Sequence, residues 1–275
     1  MPYPDPLEGT IVTREVAPEV TTSSCPFSIN VLEIGARSTI IKAQFKSGPG
    51  AIVIAPLPFT KEAEEVLGGV PVKYLVAPNV LHNMALGEWK EKFPGSKILG
   101  CRGLQKRINA TGVIVDHEIT EGNKLLNAKD AGIEDIDDLE NLKFVFFPTT
   151  KNRELLTFHG KSKTIVVGDL IMNLPGTEQY SIIQPSTYSW LVRAALKYIG
   201  LEVRTQNLLF RHLIGTPNEA MSKTLQTLGN QDFTKIIMCH GNVFEDDAKG
   251  VWTKKFGPYY PKEEPVTKPS ATASL

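Results

Sequence analysis

Three apolar segments of the sequence each lead to a residue that can bind a metal ion. These residues are His82, Asp169 and His240, which follow segments 72–77, 163–168 and 235–239. Ligand sites in α/β sheets form at the carboxyl ends of strands, so the three side chains could meet at one edge. Two imidazoles and a carboxylate are a normal ligand set for zinc and leave a fourth position for a water whose pKa the metal lowers. Iron or manganese would accept the same set.

Each of the three residues also has a structural interpretation. His82 could cap or pack against the start of the following helix, and Asp169 could accept hydrogen bonds from the backbone of a turn. His240 could be a packed histidine with one nitrogen bonded to a carbonyl group. Spacing alone does not force three strand ends together, so these alternatives stay open.

Short runs rich in Val and Ile predict the strands that would position these residues. The runs are Ile29 to Ile34, Ser38 to Phe45, Ala51 to Leu57, Val72 to Ala77, Lys97 to Cys101, Lys143 to Phe147, Glu154 to Phe158, Lys163 to Val167 and Lys235 to Cys239. Helical segments at Lys61 to Leu67 and Asn83 to Phe93 separate strands of the first half, which favours parallel pairing there. The glycine-containing link after Phe158 predicts a hairpin.

The second half has further helix signals at Trp190 to Ile199, after Thr216 and after Glu245. The polar stretch from Asp116 to Asn141 is expected to be an excursion between the two halves. From Pro261 onward the Pro, Lys and Ser content predicts a loose tail.

Length and charge limit the classes of function. The chain has 275 residues with 30 basic and 30 acidic side chains, so it has no bias towards nucleic acid or an anionic membrane. No apolar run approaches a membrane span, and three widely spaced cysteines fit a reducing compartment. We therefore expect a cytoplasmic protein with an N-terminal arm (1–28), one domain (29–260) and a flexible tail (261–275).

Several motifs carry a family resemblance. The segments Thr164 to Leu170 and Ile236 to Gly241, with the order of strands, resemble the metallo-β-lactamase superfamily. Ala77 to His82, Trp89 to Pro94 and Asp232 to Gly241 resemble a divergent fungal and bacterial branch of it. The resemblance runs from about Ile29 to about Phe256. It implies an α/β fold, a four-layer αββα sandwich of two mixed β-sheets.

The resemblance also implies which metal ligands survive. The superfamily signature is His-x-His-x-Asp-His, with a later Pro-Gly-His turn, an Asp and a last His. Ala77 and Asn79 stand in place of the first two histidines, and Thr150 replaces the histidine of the turn. One metal position has therefore lost all three imidazoles. The other keeps His82, Asp169 and His240, which implies a single transition metal, zinc first, with iron or manganese as alternatives.

The same carry-over places Leu81 where the superfamily has an acid that binds metal and exchanges protons. Asn79 is expected to orient water or substrate near the metal, although an amide cannot act as a base. The resulting hypothesis is a mononuclear metal-dependent hydrolase acting on a small-molecule substrate. The alternative is a non-catalytic member of the fold that binds a structural metal, a small molecule or a protein partner. Nucleic-acid and membrane partners are not expected.

Overall fold

The computed structural model describes residues 3–29, 32–183 and 215–261, together with Leu191. Its strands are β1 (Val12–Ala17), β2 (Val20–Cys25), β3 (Ser28–Ile29), β4 (Leu32–Glu33), β5 (Ala36–Phe45), β6 (Gly48–Ile54), β7 (Val72–Val76), β8 (Lys97–Cys101), β9 (His117–Ile119), β10 (Leu125–Asn127), β11 (Leu142–Phe147), β12 (Glu154–His159), β13 (Thr164–Val167) and β14 (Lys235–Met238). Its helices are α1 (Lys61–Leu67), α2 (Leu86–Lys92), α3 (Leu104–Ile108), α4 (Glu219–Gly229) and α5 (Ala248–Phe256).

Two mixed sheets organise these elements. The larger sheet has the order β1-β2-β5-β6-β7-β8-β9, and the smaller has the order β10-β11-β12-β13-β14. Strands β6, β7, β8 and β9 pair in parallel, which confirms the parallel pairing predicted from the helices between them. Strands β12 and β13 form the predicted antiparallel hairpin, with Thr157 opposite Val166.

The N-terminal region, expected as an arm (1–28), contains two strands of the larger sheet. Strands β1 and β2 pair with each other, and β2 pairs with β5 at the edge of the larger sheet. These strands contain Thr and Ser in place of large apolar residues, and Thr22 and Ser24 are nevertheless buried. The run from Ile29 to Ile34, predicted as one strand, overlaps the end of β3 and contains β4, and these two strands pair with each other in a separate two-stranded sheet. A prediction based on apolar residues misses β1 and β2, because these strands contain Thr and Ser.

The remaining expectations concern the polar stretch 116–141, the helices of the second half and the C-terminal tail. The polar stretch 116–141 contains β9 and β10, one in each sheet, so it does connect the two halves. The helix expected after Thr216 begins at Glu219, and Asn218 is its N-cap because its side chain accepts a hydrogen bond from the Met221 amide. Segment 190–199 and the tail from 262 onward lie outside the described residues. None of the described helices is long and apolar enough to cross a membrane.

Three apolar clusters hold the sheets and helices together. The central cluster joins the facing sides of the two sheets, for example Ile52 of β6 with Phe144 of β11. A second cluster packs α4 and α5 on the smaller sheet, around Trp252. A third packs α1 and α2 on the larger sheet, around Trp89. Helices therefore contact each sheet through residues that do not belong to the cluster between the sheets.

The strand register brings two of the candidate ligands together. Strands β13 and β14 are parallel neighbours, with Val167 opposite Met238. Asp169 and His240 are each two residues beyond this pair, so they leave the sheet side by side. The loop after β7 reaches the same place through backbone hydrogen bonds to the start of β12, from Leu155 N to Pro78 O (2.7 Å) and from Val80 N to Asn152 O (3.0 Å).

The packing of α4 gives a first prediction. Leu225 is completely buried in the cluster between α4 and the smaller sheet. We expect Leu225→Ala to lower the free energy of unfolding by about 2–5 kcal/mol, because it removes buried apolar area and leaves a cavity. Thr227→Ala, on the exposed side of the same helix, should change it by less than about 0.5 kcal/mol. Urea denaturation of both variants measures the difference, and equal losses would contradict the position of α4.

Candidate metal centre

The loop after β7 fixes the orientation of His82. Asn79 lies completely buried in this loop, and its Oδ1 accepts hydrogen bonds from Leu81 N (2.9 Å) and His82 N (3.1 Å). The same oxygen lies 2.9 Å from His82 Nδ1. An amide oxygen can only accept, so Nδ1 carries the proton and Nε2 presents a lone pair. Burial lowers the pKa of His82 and outweighs the opposing effect of Asp169, so the ring is neutral, as a metal ligand must be.

His240 is oriented in the same way by a different segment. Its Nδ1 lies 2.6 Å from the carbonyl oxygen of Gly35, which can only accept, so Nε2 is again the free acceptor. Gln179 holds the turn around His240 by donating to Cys239 O (3.0 Å) and accepting from Gly241 N (2.9 Å). Gly241 has φ +95°, and a Cβ on it would lie 2.1 Å from Asn173 O, so the turn requires glycine here.

Asp169 follows β13, and one of its two carboxylate oxygens accepts hydrogen bonds from side-chain amides. Its Oδ2 accepts from Asn79 Nδ2 (2.9 Å) and Asn152 Nδ2 (2.8 Å), whereas Oδ1 lies 3.3 Å from His240 Nε2. Burial alone would raise the pKa of this carboxyl group. The nearby His82 and His240, in their charged forms, and the Asn152 amide more than offset that effect and hold the pKa below its usual range. The group is therefore an anion at neutral pH.

Two of the three distances between these side chains match the edges of a tetrahedral metal site. The Nε2 atoms of His82 and His240 are 3.2 Å apart, and His240 Nε2 is 3.3 Å from Asp169 Oδ1. One possible ligand atom from each residue lies within 4.8 Å of the others. Two ligands at about 2.0–2.1 Å from a tetrahedral zinc are about 3.3 Å apart. Two lone pairs at such a distance repel unless a proton or a cation lies between them.

The residues that stand in place of the superfamily's other histidines form no second candidate ligand set in the described structure. Asn79 bonds to its neighbours, and Thr150 Oγ1 donates to Phe147 O (2.8 Å) and accepts from Glu154 N (2.7 Å) within a turn. Ala77 is buried in the core. Within the part of the chain that the structure describes, His82, Asp169 and His240 are the only group of three or more His, Cys, Asp or Glu residues close enough to share an ion.

The expected role of Asn79 needs correction. Its oxygen accepts three hydrogen bonds, and its Nδ2 donates to Asp169 and also to Glu154 Oε2 (3.1 Å). Because this side chain is completely buried and fully bonded, it has no group left for a water or a substrate. Asn79 positions His82 and Asp169 instead.

Two residues near the site were missed by sequence reasoning. Glu154 is a completely buried carboxylate beneath Asp169, and Asn152 is a buried amide that bonds to both acids. Burial and the nearby Asp169 raise the pKa of Glu154 above its usual range. The sequence signal was present, since Glu154 opens a strand whose other residues are mostly apolar, and a buried acid needs partners.

The site does not include the two other described imidazoles or the nearest cysteine. His159 lies at the far end of β12, where its ring nitrogens contact Ser162 Oγ (2.7 Å) and Asn141 Nδ2 (3.0 Å). His117 is exposed in β9, and His212 is outside the described residues. Cys239 is buried, and burial and the nearby Asp169 carboxylate raise the pKa of its thiol, so it remains protonated.

Comparison with solved structures gives the fold a name. A metallo-β-lactamase from Hirschia baltica has a TM-score of 0.55 at 10% identity and covers 92% of this chain and 99% of its own. The flavodiiron core of Flv1 from Synechocystis has a TM-score of 0.57 at 12% identity and covers 90% of this chain. This chain spans 60% of that core's length. A metallo-β-lactamase from Pontibacter korlensis has a TM-score of 0.52 at 10% identity, covering 90% of this chain and 98% of its own.

These likenesses show that the chain has the metallo-β-lactamase fold, as its motifs predicted. No protein-family model matches the chain, and no curated protein matches it. The fold alone does not define a substrate.

Leu81 gives a prediction about the missing carboxylate. Its side chain is 52% exposed, so an acid here would not be a buried unpaired charge, and Leu81→Asp should change the stability of the metal-free protein by less than about 1 kcal/mol. We expect this variant to bind zinc more tightly, because it adds an anionic ligand beside His82. The measurement is the zinc-induced rise in melting temperature, which should exceed that of the wild type.

Leu81→Asn is the matched control, since it has the same shape as the aspartate variant without its charge. It should show the wild-type rise. If the aspartate variant also shows no larger rise, the side chain at position 81 does not reach the ion.

Proposed function

We propose that this protein binds one transition metal through His82, Asp169 and His240 and uses it to hydrolyse a small-molecule substrate. The observation that carries the proposal is the 3.2 Å separation of two imidazole Nε2 atoms whose Nδ1 atoms are both committed to acceptors. Both nitrogens therefore direct lone pairs at one point, beside an anionic carboxylate. A cation at that point removes the repulsion and satisfies all three groups.

Zinc is the first candidate for the metal, because the donor set and the two distances to His240 Nε2 fit a tetrahedral site with a fourth position for water. Iron is the second, since the same donor set accepts it and flavodiiron proteins have this fold. When bound, the metal would act as a Lewis acid and lower the pKa of a coordinated water. The three side chains hold it, and their partners Asn79 and Gly35 keep both imidazoles in the required tautomer.

The competing proposal is a non-catalytic metal-binding protein, and Leu81 favours it. The acid that moves protons in relatives is absent at this position, and the carboxylate of Glu154 is buried beneath Asp169 among hydrogen-bond donors. Asp169 is itself a ligand. A hydrolase of this kind must therefore take its proton acceptor from the substrate or from a residue beyond the immediate site, and its rate should be lower than that of an enzyme with the acid in place.

We also propose an order for the layers of the fold. The two helix-facing clusters and the cluster between the sheets support a four-layer αββα order. The domain would then begin near β1 and not at residue 29.

Free buried cysteines fit a reducing compartment such as the cytoplasm. Equal numbers of acidic and basic side chains favour a small-molecule substrate over nucleic acid or a membrane surface.

Metal content is the first test. Wild-type protein purified without chelator and without nickel resin should contain about one equivalent of zinc or iron. His82→Ala should contain much less, because it removes one of the three ligands. His159→Ala removes a more deeply buried imidazole at the far end of β12 and should keep the wild-type content. Elemental analysis of folded protein measures all three. Two tightly bound ions in the wild type would contradict the loss of the other position.

Activity is the second test, and it separates the two proposals. Metal-free protein reconstituted with one equivalent of zinc, iron or manganese is assayed against esters, lactones, β-lactams and phosphodiesters. The hydrolase proposal expects a metal-dependent rate that His240→Ala abolishes. Full metal occupancy with no hydrolysis of any substrate class would favour the non-catalytic alternative.

A further inference from the structure

Glu154 occupies a nest of hydrogen-bond donors directly behind Asp169. Its Oε1 accepts from the backbone amides of Gly168 (2.5 Å), Asp169 (3.0 Å) and Leu170 (3.4 Å). These three amides form the turn in which β13 ends. The carboxylate of a neighbouring strand thus fixes the backbone on both sides of a metal ligand, which is more control than a single hydrogen bond to the ligand would give.

Two side-chain amides lie between Glu154 and Asp169. Asn79 Nδ2 donates to Glu154 Oε2 (3.1 Å) and to Asp169 Oδ2 (2.9 Å). Asn152 Nδ2 donates to the same two oxygens, at 3.4 and 2.8 Å. Each NH₂ group has two hydrogens, and each uses them on the two carboxylates. Four N–H groups therefore connect two buried acids that would otherwise repel each other.

We propose that Glu154 is the positioning residue of the metal centre, and that the amides of Asn79 and Asn152 take the place of a second cation between the two carboxylates. The proposal rests on the proposed function, because it concerns how the site binds its single ion. A divalent cation and a pair of amides both supply positive charge density to carboxylate oxygens. The amides do so without an ion, so the site stays mononuclear when metal is abundant.

The first test is Glu154→Gln, which keeps the shape and replaces one oxygen by an NH₂ group. That group must face either the backbone amides or the amides of Asn79 and Asn152, and both alternatives oppose donor to donor. We expect the dissociation constant for zinc to rise at least ten-fold. The visible spectrum of the cobalt(II)-loaded protein should also change, because Asp169 is released from its fixed orientation.

Glu118→Gln is the matched control for this variant. Glu118 also accepts two backbone hydrogen bonds, from Gly103 N (2.9 Å) and Gln105 N (2.8 Å), and it does not contact the candidate ligands in the described structure. It should leave zinc affinity and the cobalt spectrum as in the wild type. A Glu154→Gln protein with wild-type zinc affinity and spectrum would overturn the proposal.

The second test is Asn152→Asp, which remains informative if Glu154→Gln does not fold. The Oδ1 of Asn152 accepts no hydrogen bond from the described residues, so the change alters little except the donor that faces the two acids. The added carboxylate creates a set of three acids with one amide fewer. We expect isothermal titration to show two zinc ions per chain in place of one. A stoichiometry that stays at one zinc ion per chain would overturn the proposal that the amides take the place of a second cation.

The wild-type titration distinguishes a failure of the proposed function from a failure of the roles given to Glu154 and the two amides. Wild-type protein that binds no metal at all contradicts the proposed function itself. Wild-type protein that binds one ion, with both variants behaving like it, contradicts only the roles given to Glu154 and the two amides.

Discussion

The orientation of one buried amide determines the charge states across the site. Asn79 directs its oxygen towards His82 and its nitrogen towards Asp169 and Glu154. Because an amide has one donor end and one acceptor end, the histidine must donate through Nδ1 and the acids must accept. Water does not reach this completely buried side chain, so neither side can change its protonation without losing a hydrogen bond. The free Nε2 of His82 follows from that constraint.

A buried arginine connects the other half of the site to the larger sheet. Arg37 of β5 is almost completely buried, and its Nη1 donates to Met238 O (2.8 Å) and Gly241 O (2.5 Å), on both sides of His240. Burial lowers the pKa of Arg37, and Glu178, with an oxygen 3.5 Å from Nη2, opposes the shift. Burying such a charge is costly unless acceptors surround it. Here the acceptors are backbone carbonyl groups of the turn, so the hydrogen bonds that compensate the charge of Arg37 also hold the turn in place.

The same stretch of chain orients the imidazole of His240. Gly35, which accepts from Nδ1, lies two residues before Arg37, so ring and turn are both held by the beginning of β5. His82 depends on its own loop and on β12, whereas His240 depends on the larger sheet. The three candidate ligands therefore depend on the relative placement of both sheets, and a change in the packing between the sheets would alter the distances between these side chains.

The sequence predicted the parts of this arrangement that are local. Runs of Val and Ile located β7, β13 and β14, and the residues at their ends are the ones that meet. It did not locate β1 and β2, because their buried Thr and Ser residues are stabilised by pairing with β5 and not by apolar character. It also missed Glu154 and Asn152, whose partners lie 14 to 17 residues later in the chain. Long-range polar contacts leave no periodic pattern to detect.

The residues that differ from the superfamily signature are consistent with one electrostatic constraint. Glu154 and Asp169 carry two negative charges when both are ionised, and a single divalent cation with two neutral imidazoles balances them. Burial, and after it the adjacent Asp169 carboxylate, raise the pKa of Glu154, as expected for two acids placed close together. A second divalent cation would add two more positive charges, and the described residues at positions 77, 79 and 150 supply no imidazole or carboxylate to hold it. The exposed Leu81 adds no charge either, so the two acids balance one divalent cation and not two.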